Sequence, residues 1–135
     1  GAALRLTVPI LLAGLAGLWS ERAGVVNIGL EGMMVLGTWS GAYVALYHGP
    51  VAGVIAGADG GALGGLLHAV ATVTFGVDHI VSGVAINLLG PGIARFLSAL
   101  LFTDQPGGGV TQSPQVTQPA TFTVWPTWAA LTSPQ

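Results

Sequence analysis

Long stretches without a charged residue constrain this chain more than any other feature. No Asp, Glu, Lys or Arg occurs in residues 6–19 or 32–58, and a membrane-spanning helix needs about 20 mostly apolar residues. Only 6% of the 135 residues are charged, whereas soluble domains carry about a quarter. This pattern excludes a soluble domain and a disordered chain, and it indicates an integral membrane protein.

Four membrane spans fit the apolar runs, at about residues 2–19, 32–47, 51–76 and 80–102. The second and third are separated at His48-Gly49-Pro50, because Gly and Pro together mark a turn. The first span is favoured over a cleaved signal peptide, since the segment after it stays hydrophobic. We therefore predict an all-α polytopic transmembrane bundle in residues 1–102, followed by a polar Pro/Gly/Thr-rich extramembrane loop in residues 103–135.

The ends and the basic residues bear on the extent and the orientation of this bundle. The chain starts without Met and stops inside a polar stretch, so we expect it to be a fragment of a longer polypeptide. Arg22 lies in the first connection, and the positive-inside rule then places the long loop outside. Arg5 and Arg95 argue against that orientation.

Glycines recur every four residues along the third span, at Gly53, Gly57, Gly61 and Gly65. Such a stripe lies on one helix face and lets another backbone approach closely. We expect it to serve helix packing rather than to form a ligand groove.

The connection between the first two spans has the densest cluster of polar residues. Asn27 is a candidate N-cap for the second helix, and Glu31 follows four residues later, where the helix dipole favours a carboxylate. An apolar segment that is interrupted by Gly and carries Asn and Glu resembles the discontinuous helices of transporters. An ordinary capped turn at the membrane surface explains the same residues, and the pattern alone leaves both interpretations open.

Further polar residues lie within the third and fourth spans. An ionisable side chain at membrane depth is by default a functional hypothesis, and Asp59 lies halfway along the third span. We expect it to be a neutral carboxyl with Asn87 or Ser82 as its partner. We therefore group Asn27, Glu31, Ser82, Asn87 and Asp59 as candidates for lining the substrate path or fixing the loop geometry.

Several functions are disfavoured by what the composition lacks. Lys is absent and the cations are Arg5, Arg22 and Arg95, so nucleic-acid binding is not expected. Cys is absent as well, which excludes thiolate metal sites. The three histidines do not share a face with Asp59, so we predict no metal site, no cofactor and no intramembrane enzyme.

Three sequence blocks together resemble one family. They are SERAGVVNIGLEGMM (residues 20–34), GGLLHA (64–69) and IVSGVAINLL (80–89). In order and spacing they are similar to the branched-chain amino acid and simple-sugar permeases of ABC importers, and most similar to the nucleoside and simple-sugar subgroup. The resemblance covers residues 8–102, and His79 stands where the subgroup more often has Gln.

The resemblance implies a multi-pass permease subunit of a bacterial or archaeal cytoplasmic membrane, moving a nucleoside or a simple sugar. A second permease subunit would complete the pathway, cytoplasmic ATP-binding subunits would power it, and an extracytoplasmic solute-binding protein would deliver the solute. The subunit would have no ATP site of its own. This expectation agrees with the absence of a Gly-rich loop followed by Lys-Ser or Lys-Thr.

A secondary carrier is the alternative. In that case Glu31 or Asp59 would be the proton site of an ion-coupled transporter.

Overall fold

The structure, a computed structural model, describes residues 2–116, and within them the chain is all-helical with no strand. The four α-helices are α1 (Ala2–Arg22), α2 (Leu30–His48), α3 (Pro50–Ala69) and α4 (His79–Leu101). This confirms the predicted all-α class for the described residues. The part of the predicted loop in residues 117–135 lies outside them.

The break between α2 and α3 falls at the expected tripeptide. Gly49 has φ 85° and ψ 170°, a backbone conformation that few other residues adopt. Pro50 follows as the first residue of α3, where its missing N–H costs no helical hydrogen bond. One glycine therefore allows α3 to fold back antiparallel on α2.

Neither α1 nor α3 ends in an ordinary last turn of α-helix. α1 ends in a Schellman motif, in which Val25 N–H donates to Ser20 O (3.0 Å), Gly24 N–H donates to Glu21 O (3.0 Å), and Gly24 has φ 82°. α3 continues as a π-helical turn, Val70–Thr74. Such turns are frequent at functional sites.

Helix α2 lies between α3 and α4, whereas α1 contacts α2 alone among the helices. The α2–α3 contact is antiparallel, since Met33 lies near Gly64 and Gly41 near Gly53. The α2–α4 contact is parallel, because residues 29 and 32 of the chain meet residues 83 and 90, and Trp39 reaches Ser98 further along.

Small residues make the α2–α3 contact. A Cβ atom added to Gly37 would lie 2.7 Å from Gly57 O, and one added to Gly41 would lie 3.0 Å from Gly53 O. The Ser40 hydroxyl lies 2.9 Å from Ala56 O across the interface. The backbones therefore touch, as is typical of helix pairs in membranes.

The predicted glycine stripe occupies this interface unevenly. Gly53 and Gly57 face α2 closely, and a Cβ atom on Gly61 would be at an ordinary 3.7 Å from Met33 O. Gly65 has no atom within 4 Å of such a Cβ position, whereas Gly60 and Gly64, which the stripe omitted, press against Ser40 and Met33. The face of α3 that contacts α2 therefore shifts by one residue between Gly57 and Gly60.

The large apolar side chains point away from these contacts. The buried apolar residues are few, namely Met33, Ile86, Ala94 and Phe102, whereas Ile10 on α1, Val54 on α3 and Leu88 on α4 are each more than 70% exposed. In a soluble protein such a distribution would be unstable, but in a bilayer the apolar side chains face lipid. Two stretches of the described chain, Pro50–Thr74 and His79–Leu101, are long and apolar enough to span a membrane.

The tight contact at Gly37 gives a stability prediction. Gly37→Ala should destabilise the helical bundle by about 1–3 kcal/mol, because the new methyl group clashes with a backbone oxygen. Unfolding of the full-length protein in mixed micelles measures this change. Gly65→Ala is the matched control and should leave the unfolding free energy unchanged or slightly higher, as Ala favours helix. Equal effects of the two substitutions would contradict the packing described.

Candidate functional site

The segment between α1 and α2, residues 23–29, is the broken segment of the fold. It has no helical hydrogen bonds of its own beyond the turn that closes α1. The N–H and C=O groups of such a non-helical segment must bind other protein groups or water, because a buried unpaired group is costly. The surrounding side chains supply those bonds.

His68 of α3 is the most deeply buried polar side chain here, at 2% exposure. Its Nε2 lies 3.3 Å from Val26 O and its Nδ1 lies 2.9 Å from Ser82 Oγ. Because a carbonyl oxygen only accepts, Nε2 donates to Val26 O, and the Ser82 hydroxyl pairs with Nδ1. Ser82 therefore fixes the orientation of the ring that holds the broken segment.

His79, the first residue of α4, binds the other backbone polar group of the same residue. Val26 N–H donates to His79 Nδ1 at 3.2 Å, and the His68 and His79 rings approach edge to face with centroids 6.5 Å apart. Asp78 precedes it as the N-cap, where its carboxylate accepts from Ile80 N (2.9 Å) and Val81 N (3.1 Å). Two histidines, one from α3 and one from α4, thus pair with the backbone N–H and C=O groups of Val26.

Asn87 of α4 fixes the end of the broken segment and the start of α2. Its Nδ2 donates to Ile28 O at 2.8 Å, and its Oδ1 accepts from Gly32 N–H at 2.8 Å. Gly32 is the third residue of α2, whose N–H an N-cap side chain ordinarily satisfies. Asn87 therefore caps α2 from another helix, 55 residues along the chain.

Glycine residues bring α2 and α4 close enough for Asn87 to cap α2. A Cβ atom on Gly32 would collide with the carbonyl of Ile86, and one on Gly90 would lie 2.6 Å from Gly32 O. A Cβ atom on Gly29 would lie 3.2 Å from the backbone of Gly83. The α2 and α4 backbones are in contact here, and no larger residue fits.

The predicted N-cap role of Asn27 is wrong. Gly29 is the N-cap residue, with no side-chain hydrogen bond to the helix. Asn27 Oδ1 instead accepts from Gly29 N–H (3.0 Å) and its Nδ2 lies 3.4 Å from Met33 Sδ. Asn27 shapes the turn into α2, because its short side chain bonds the backbone two residues on.

Glu31 lies in the first turn of α2 and is exposed. A carboxylate there is favoured by the helix dipole. Asn27 and Glu31 do not share a helix face, since α2 begins only at Leu30.

Asp59 is separate from the other candidate residues. It is exposed on α3, and the partners expected for it are engaged elsewhere, Ser82 with His68 and Asn87 with Ile28 and Gly32. The structure therefore corrects the expected Asp59 pairing. Asn27, Ser82 and Asn87 lie around the broken segment, whereas Asp59 lies apart from it on α3.

Sequence reasoning missed the two histidines. His68 stood inside the GGLLHA block and His79 was noted only as a departure from the subgroup. A histidine within an apolar membrane span, in the last turn of α3, is the available signal for His68. No group of three or more metal-ligating side chains lies together within residues 2–116.

These features define a helical membrane protein whose chain is interrupted near one helix start and held there by side chains. The family model described as the permease component of branched-chain amino acid transport systems matches residues 2–131. The chain belongs to this permease family. The match extends past residues 8–102, which carry the resemblance in the sequence blocks, into most of residues 103–135.

Curated relatives are similar over most of the chain. The guanosine ABC transporter permease NupQ of Bacillus subtilis is 38% identical over 125 residues, covering 87% of this chain and 37% of its own length. The nucleoside ABC transporter permease NupC of Lactococcus lactis is 39% identical over 103 residues, covering 71% and 32%.

An archaeal relative is slightly more distant. The putative glucose ABC transporter permease TsgC13 of Haloferax volcanii is 34% identical over 119 residues, covering 87% of this chain and 35% of its own length. The chain thus spans about a third of the length of these relatives. No solved structure matches it.

The two bonds of Asn87 can be separated by substitution. Asn87→Ala removes both and leaves two backbone groups unpaired, which costs about 1–3 kcal/mol each when they are buried. Asn87→Asp keeps the acceptor for Gly32 N–H and loses the donor to Ile28 O, so its effect should be intermediate. Unfolding and solute uptake of the full-length protein measure the series, with Asp104→Asn, an exposed carboxylate after α4, as the control. A harmless Asn87→Ala would refute the trans-capping role.

His79 contributes an acceptor, which a second residue type can replace. His79→Gln should retain uptake, because the amide oxygen can accept from Val26 N–H, and Gln is also common at this position in the subgroup that the sequence resembles. His79→Leu, of similar bulk but without an acceptor, should reduce uptake severalfold. Initial uptake rates normalised to membrane expression decide between them, and equal rates for both variants would show that the bond is dispensable.

Proposed function

We propose that this chain is part of the transmembrane permease subunit of an ATP-driven importer in a bacterial or archaeal cytoplasmic membrane. The family match over residues 2–131 carries the proposal. The broken segment supports it, because a Gly-containing non-helical stretch held by side chains of neighbouring helices resembles the interrupted helices of transporters.

The solute is a nucleoside or a simple sugar under this proposal. Two of the relatives are named for guanosine or nucleosides and one for glucose. All of these solutes are small, uncharged and rich in hydroxyl groups, so the named relatives support a neutral polar solute.

In this proposal residues 1–102 form four spans of the permease domain and residues 103–135 an extramembrane loop. The two stretches that meet the length and hydropathy criterion are the third and fourth of these spans. The first part of the loop folds back on the end of α4, where Phe102 is 1% exposed and Pro114 is buried. Asn27, Ser82 and Asn87 act by fixing the loop geometry, whereas Glu31 and Asp59 remain proposals for the path lining.

The partners belong to the same proposal. A second permease subunit completes the path, separate ATP-binding subunits supply energy, and an extracytoplasmic binding protein delivers the solute. The family match and the named relatives support this assembly, and they favour it over the ion-coupled carrier.

The energy source tests the proposal. Uptake of radiolabelled guanosine, uridine and glucose is measured with the full-length protein and the ATP-binding subunits encoded beside it. Replacing the phosphate-binding Lys of those subunits should abolish uptake, and a protonophore should not, provided that ATP is held constant. Uptake that survives the Lys substitution and is lost with the protonophore would contradict the importer.

Asp59 provides a second discrimination from the carrier. Asp59→Asn keeps the shape and removes the ionisable group, so an importer should retain uptake within about twofold, the range expected for an exposed substitution. Abolished uptake by a well-folded Asp59→Asn variant would show that the charge itself is used. Glu31→Gln gives the matching test at the other carboxylate.

A further inference from the structure

A cleft separates α2 and α4 beyond the point where their glycines meet. It has a volume of about 380 Å³, within the size range of small-molecule sites. Its walls come from one face of each helix, and residues 110–113 of the following loop line one end. The side chains that carry the argument are Thr38, Trp39, Arg95, Ser98, Phe102 and Gln112.

The cleft has a rigid aromatic wall. Trp39 Nε1–H donates to Ser98 Oγ at 2.9 Å, which holds the indole of α2 against α4. Tyr43 stacks on it with ring centroids 5.4 Å apart and an interplanar angle of 9°, and Phe102 packs against it at 5.7 Å. The position of the indole is therefore fixed before any ligand arrives, which lowers the entropic cost of binding.

Polar groups face the same space. Arg95 is exposed at the cleft, as are Thr38 and Gln112. A charged side chain within a membrane span is costly and is expected to have a function. The guanidinium group offers only donors, arranged in a planar fork, so it matches a ligand that presents adjacent acceptor atoms.

Aromatic wall and donor fork together suit a nucleobase. Bases stack on aromatic side chains irrespective of their sequence identity, and Arg donates to the adjacent O6 and N7 acceptors of guanine. The hydroxyl and amide groups of Thr38 and Gln112 suit the hydroxyls of a ribose. Adjacent hydroxyls of a simple sugar can also accept from the fork, but a sugar has no planar aromatic face to stack on Trp39.

We propose that the α2–α4 cleft binds a nucleoside, with the base against Trp39 and its acceptor atoms facing Arg95. This inference rests on the proposed importer function and names the binding site and the solute class within it. The glycine contact between Gly32 and Gly90 closes one end of the cleft, and the broken segment lies next to that contact. The proposed nucleoside site and the broken segment are thus neighbours along α2 and α4.

The kinetic test uses the assembled full-length importer in proteoliposomes, with guanosine as the probe. Arg95→Gln should raise KM for guanosine about tenfold or more, as expected for the loss of a paired base contact, with a smaller effect on kcat. Trp39→Phe should raise KM as well, because it keeps an aromatic wall but loses the bond to Ser98. Arg22→Gln is the matched control outside the cleft and should leave KM unchanged. An unchanged KM in Arg95→Gln would overturn the proposal.

A labelling experiment tests the site directly. Thr38 donates only to Met34 O within its own helix, so Thr38→Cys disturbs no contact between helices. In a background without other cysteines, this thiol should react with a water-soluble maleimide, and guanosine should slow the reaction. A thiol that does not react, or that guanosine does not protect, would overturn the proposal, because another part of the full-length protein would then fill the cleft.

Different uptake results would contradict the importer function and the nucleoside site. ATP-dependent uptake of glucose without guanosine or uridine would overturn the nucleoside site and leave the importer function standing. Absence of ATP-dependent uptake of all three probes would overturn both.

Discussion

The hydrogen bonding of a few peptide groups determines the arrangement of this protein. A break between two helices leaves N–H and C=O groups without helical partners, and each costs about 1–3 kcal/mol if it is buried and unpaired. Val26 and Ile28 lie in such a break, and their groups bind His68, His79 and Asn87. These three side chains come from α3 and α4, so the break can exist only when both helices are in place.

Close packing is the condition for those bonds. Asn87 reaches Gly32 N–H because Gly32 and Gly90 let the α2 and α4 backbones touch. The same principle joins α2 to α3, through Gly37, Gly41 and Gly53. Apolar side chains contribute little to these contacts, since lipid solvates them as well as protein does. Glycine and hydrogen-bonding side chains therefore take the role that a hydrophobic core has in water.

The sequence predicted the elements better than their contacts. Apolar runs and the His48-Gly49-Pro50 turn located the helices to within a few residues, because span length and turn chemistry are local properties. The cap of α2 was assigned to Asn27 because a cap usually comes from the residues just before a helix. The cap actually comes from Asn87, and no local pattern records a partner 55 residues away. Asp59 was paired with Asn87 and Ser82 by depth alone, and depth does not reveal that both were already engaged.

The weak attachment of α1 has a mechanical consequence. Side chains of α3 and α4 tie the broken segment to both helices, and α2 contacts both of them. Among the described helices α1 contacts α2 alone, and the chain leaves α1 through Gly24, whose φ of 82° is open to glycine and strained for other residues. Ala23 and Gly24 belong to the hydrogen-bonded turn that ends α1, and the Ser20 hydroxyl also donates to Val25 O at 2.7 Å, so the direction in which α1 leaves the bundle is set by this one turn.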